Sequence, residues 1–156
     1  MPKVDHSIST RFPAALLARA RCSIEERQVL LPLVRLLLHC HQRARREGTL
    51  CLETIEVDDV FLGALLNRLV DGSPLEELQG TLLTLLQTSP HTGKGLLRRL
   101  LMVEAVLSIA EGSSPNLLAR GAFHGLLGEE FFGLDLTQVV EPVTTATENR
   151  GEVLKA

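Results

Sequence analysis

The chain has 156 residues, a formal net charge of −3 and 45% hydrophobic residues, enough for one domain around a buried core. With no Trp or Tyr and only five Phe, that core has to be aliphatic and mostly Leu, which predicts an all-α fold. The negative balance speaks against nucleic-acid binding, and no uncharged apolar run approaches the ~20 residues of a membrane helix.

In chain order, Pro13 suits a first helical turn and predicts a short helix over 13–21. Ser23 with Glu26 spells a capping box that opens a second helix. Leu30, Leu31, Val34, Leu37, Leu38 and His41 then recur at helical spacing as one buried stripe, and Pro32 either kinks that helix or marks its true start. Arg43, Arg45 and Arg46 crowd its last turn, where cations meet the negative end of the helix dipole, and Gly48 can supply a left-handed cap. Thr49 to Ile55 is a short apolar link, helical or extended. Asp58 or Asp59 caps the next helix, whose face is Phe61, Leu62, Leu65, Leu66 and Leu69 and which stops at Asp71-Gly72. Ser73-Pro74-Leu75-Glu76 restarts a helix, with Ser73 as cap and Leu75, Leu78, Leu82, Leu83 and Leu86 as its apolar face.

Thr88 to Gly95 is a loop and the clearest internal boundary. Leu96 to Ala110 is apolar nearly all round, which predicts the centre of the core. Glu111-Gly112-Ser113-Ser114-Pro115 ends it and caps a helix carrying Leu117, Leu118, Ala122, Phe123, Leu126 and Leu127. Gly128 stops that helix, and Glu129-Glu130-Phe131-Phe132 adds a turn. From Glu141 the composition shifts to Thr, Glu, Val and Pro, so the expected organisation is a single helical domain over 1–140 and a flexible tail over 141–156. The acid-Gly-Ser-Pro turn at 71–74 recurs at 111–115, each between helices. Two such hairpins bury their faces by stacking, giving a compact bundle of about five to six helices.

Candidate chemistry is thin. His39 and His41 point about 160° apart on a helix and cannot share an ion easily, and no second ligand pair accompanies Cys40. Cys51 has no nearby base, and three cysteines (Cys22, Cys40, Cys51) without framework spacing fit a reducing compartment. Thr92-Gly93-Lys94-Gly95 lacks the first glycine and the strand of a phosphate loop. The paired acids Asp58-Asp59 and Glu76-Glu77 sit in first helical turns, where they have structural reasons to be, and Glu129-Glu130 has no nucleophile beside it. The expectation is a protein that is not an enzyme and uses no metal or cofactor. The basic cluster differs, because it stands at a helix end beside a glycine, with Glu53 eight residues after Arg45. Eight helical residues span about 12 Å, which makes two separate contacts rather than one salt bridge. Arg43, Arg45, Arg46 and Glu53 are therefore the candidate partner-binding residues.

The run Ala44-Arg45-Arg46-Glu47-Gly48-Thr49-Leu50-Cys51-Leu52-Glu53, followed by Asp58-Asp59-Val60-Phe61-Leu62 and Asp71-Gly72-Ser73-Pro74, resembles the cytoplasmic segment of MotA-type stator subunits of the bacterial flagellar motor. The resemblance covers residues 40 to 80, about a quarter of the chain. It implies that Arg45 and Glu53 work against opposite charges on a protein partner, the rotor protein FliG or another motor component. The chain departs from that family in having no membrane helices: Arg98, Arg99, Glu104, Glu111 and Arg120 stand where a stator would enter the bilayer. Ion conduction is therefore not implied. The expectation is a cytoplasmic docking module, peripheral to a membrane complex, with self-association left open. The alternative is a general helical-hairpin adaptor or chaperone-like scaffold with an apolar groove.

Overall fold

The computed structural model describes residues 11–136, and within them the chain is helical with no strand. The reading of 141–156 as a tail lies outside the described residues. The elements are α1 (Ala14–Arg19), α2 (Ile24–Val29), α3 (Leu31–Glu47), a 3-10 segment (Thr49–Thr54), α4 (Val60–Val70), α5 (Leu75–Thr88), α6 (Gly93–Glu111), α7 (Pro115–Leu117), a π segment (Leu118–Phe123), α8 (His124–Leu127) and a last 3-10 turn (Glu129–Phe131).

Helix α6 is the hub. Every residue from Leu100 to Ile109 is buried, and α1, α3, α4, α5 and the π segment all pack on it. Its sequence dictates this, because apolar residues on all sides of a helix leave no face for water. Helices α4 and α5 each pack on α6 rather than chiefly on each other, so the expected first hairpin is opened out over α6. Leu62, Leu65, Leu66 and Leu69 of α4 and Leu78, Leu82 and Leu86 of α5 are the buried residues of these two helices. Pro32 lies in the first turn of α3, the true-start alternative: the Ser23-capped helix ends at Val29 and a new one begins at Leu31.

The two repeated turns share one backbone. Gly72 and Gly112 both have φ 79°, Ser73 N donates to Arg68 O at 3.1 Å, and Ser113 N donates to Ser108 O at 3.1 Å. This is the left-handed glycine cap that closes a helix by satisfying its last carbonyls. The restarts differ. Ser114 accepts from Leu117 N at 3.1 Å with Pro115 as the first helical residue, as expected. Ser73 does not cap α5: Pro74 itself occupies the cap position, because one residue fewer separates this glycine from its proline.

Three smaller expectations need correction. Leu117 is exposed rather than on the buried face, and the helix over 115–127 widens to a π segment at Leu118–Phe123, around Gly121. The loop after α5 is short, since α5 runs to Thr88 and α6 begins at Gly93. Gly48 has φ 92° and ψ 162°, an extended glycine-only conformation rather than a left-handed cap.

Candidate functional site

The candidate residues sit where α3 ends. Arginines in the last turn of α3 complement its dipole, and Gly48 N closes it on Ala44 O at 2.8 Å. A side chain at Gly48 would meet nothing within 4 Å, so φ alone, not crowding, requires glycine there. The chain then turns into the 3-10 segment, which buries Leu52, half-buries Cys51 and ties Thr54 Oγ1 to Cys51 O at 2.7 Å. Gly48 thus separates Arg45 and Glu53 onto two elements, correcting the continuous helical spacing of about 12 Å expected between them.

Within this corner the charges have different employments. Arg43 is engaged with Glu47 one turn on, at 3.1 Å. Arg45 reaches across to the end of α6 and donates from Nη1 to Gly112 O at 2.7 Å and Ser113 O at 2.9 Å. A cation on the last carbonyls of a helix is a favourable structural contact, so Arg45 latches α3 to the turn after α6. Arg46 and Glu53 are exposed, and neither has a hydrogen bond or ion pair among the described residues. Between them in the sequence stands Leu50, 67% exposed. In a 3-10 helix residues three apart eclipse, so Leu50 and Glu53 share one edge. Glu53 also stands on the rim of a groove of about 410 Å³ between the 3-10 segment and α4, with Leu52, Ile55, Val57 and Leu66 in its lining.

One turn back along α3, His41 is 2% exposed and its Nε2 lies 2.9 Å from Ser108 Oγ on α6. Arg45, four residues further, meets α6 four residues beyond Ser108, so α3 and α6 run in the same direction. Burial, and the positive charge of Arg45, hold His41 below its ordinary pKa, and its Nδ1 is buried without a hydrogen bond. His39 lies on the outer side of α3 and is also lowered, by burial and by Arg43 and Arg46. Burial drives Cys40 up to about 12 and raises Cys22 and Cys51, which keeps all three thiols protonated at neutral pH. No group of three or more His, Cys, Asp or Glu able to hold a metal ion occurs among the described residues.

The remaining candidates take structural places. Asp59, the one of the two acids that caps α4, accepts from Leu62 N at 3.0 Å and pairs with Arg98 at 3.0 Å. Burial opposes its ionisation, but the Leu62 N–H and Arg98 outweigh it and hold the carboxyl low. Thr92 makes no cap at the start of α6. Glu130 is paired with Arg27 at 3.0 Å. Sequence reasoning missed the knot around Arg11, which bonds Glu104 at 2.9 Å and Glu111 at 2.8 Å, seven residues apart on one side of α6. The available signal was the acid inside the apolar run 96–110, which burial obliges to find a cation.

No family model, curated protein or solved structure matches the chain. No helix among the described residues is long and apolar enough to cross a membrane.

Proposed function

We propose that the protein is a non-enzymatic docking module whose contact surface is the corner between α3 and the 3-10 segment. The observation that carries this reading is an exposed leucine, Leu50, between Arg46 and Glu53, two exposed charges with no partner among the described residues. An apolar residue that can be desolvated, rimmed by charges that select the approach, is how protein interfaces divide their work: the centre supplies affinity and the rim orientation and rate. Arg43 and Arg45 belong to the same corner. Their bonds to Glu47 and to the turn after α6 make them the frame on which Arg46 is held. The stator-like spelling of 44–53 supports a partner of the rotor type, offering a carboxylate to the arginines and a base to Glu53.

The test is binding of the purified chain to FliG or to isolated motor complexes. Arg46→Glu and Glu53→Lys should each weaken binding roughly tenfold or more, mainly by slowing association, and Leu50→Asp should weaken it by faster dissociation. Binding indifferent to all three changes excludes this corner.

A second reading, a helical-hairpin adaptor, is favoured by a cleft of about 500 Å³ beside α5 and α6, with Phe12, Leu83, Val103 and Leu107 in its walls and Gly80 at its edge. It requires binding that survives charge reversal at the corner and fails when Leu83 is made Asp.

A further inference from the structure

Helix α3 presents a second surface, which starts at the corner with Arg46 and Arg43 and extends back along the helix beyond it. At 100° per residue, Pro32, Arg35, His39, Arg43 and Arg46 fall on the side opposite the buried Leu33, Leu37 and Ala44. From Arg35 to Arg46 this side runs about 16 Å, three turns. It carries three arginines and a histidine, and the acid at its edge, Glu47, is already bonded to Arg43. Arg35 has no acceptor among the described residues, and its Nε–H is covered by protein without one. The residue as a whole is half-buried, so its stem is covered while it has no acceptor of its own among the described residues. Burial holds His39 below its ordinary pKa, and Arg43 and Arg46 add to that against the opposing charge of Glu47.

We infer that this side of α3 receives an acidic helical segment of a protein partner, with carboxylates about three turns apart matched to Arg35 and Arg46. Charge complementarity selects the occupant, because a row of cations repeated on the helical period is answered by a row of anions on the same period. A duplex nucleic acid fits less well: it calls for a broad basic field, whereas this row is one helix wide on a protein of net charge −3. The inference goes beyond the corner reading, since Arg35 and His39 lie outside the corner.

The experiment titrates the full chain with a labelled synthetic helical peptide carrying Glu on each turn of one face, beside the same peptide with Gln and a short DNA duplex. The Glu peptide should bind best and lose affinity steeply with added salt. Arg35→Glu should weaken it about tenfold and Arg35→Gln about threefold, in variants whose circular dichroism matches the parent. The His39 ring proton signal should titrate at higher pH in the complex, a readout that a merely structural Arg35 would not move. Leu50→Asp and Glu53→Lys should leave peptide binding intact, which separates this surface from the corner. Equal binding of the Gln peptide, tighter binding of the duplex, or indifference to Arg35→Glu would overturn the inference.

Discussion

Helices α3 and α6 are the two longest among the described residues, 17 and 19 residues, and they run in the same direction side by side, yet they use their charges in opposite ways. On α6, Glu104 is 4% exposed and is met by Arg11, and Ser108 is met by His41, so each polar group inside the apolar shell has an intramolecular partner. On α3 the inner side resembles α6, while the outer side keeps Arg35 and Arg46 without intramolecular acceptors among the described residues. A charge enclosed by protein must be answered by protein, because leaving it unanswered costs several kcal/mol. Arg46, facing water, bears no such obligation, whereas Arg35 departs from the rule at one atom, its covered Nε–H.

That contrast can be broken most forcefully at α6. Leu101→Ala, at a site with no exposure, should cost about 3 kcal/mol in denaturant unfolding, since neighbours on every side hinder collapse of the cavity. Arg11→Ala should cost about 2 kcal/mol, less than a fully enclosed pair because the Arg11 side chain is 20% exposed. The His41–Ser108 contact adds a pH dependence. The folded pKa of His41 lies below 6.5, so its contribution is complete above that value and is lost as pH falls through it toward the folded value. The fall in stability below pH 6.5 should therefore become shallower in His41→Gln, with His39, also lowered, supplying the remainder, whereas Glu111, held low by Arg11, acts only below its ordinary 4.5. Arg45→Ala should cost about 1 kcal/mol, the worth of an exposed charged bond to helix-end carbonyls. Arg46→Gln should change stability by less than about 0.5 kcal/mol. A large loss there would mean that the outer side of α3 is structural after all.

The helical class, α6 as the hub, the Ser23–Glu26 box and the Gly72 and Gly112 stops were legible because each rests on local chemistry or on a single period. Ser73 was misread for a local reason too fine for composition: with Pro74 immediately after it, the serine falls one residue short of the cap position that Ser114 fills. Arg45 and Arg46 could not be told apart from spelling. Adjacent helical residues point about 100° apart, and only the parallel placement of α6 decides which one finds a carbonyl. The π segment was invisible because its apolar spacing also fits an α-helix.

Cys40, sealed beneath α3 with its thiol driven up to about 12, offers a clock that needs no label. An alkylating reagent attacks thiolate, so in the closed protein this sulfur is both unreachable and chemically silent. The rate at which it becomes modified therefore times how often the helix lifts away. A binding partner gripping the outer side should slow that clock, without any change in the reagent.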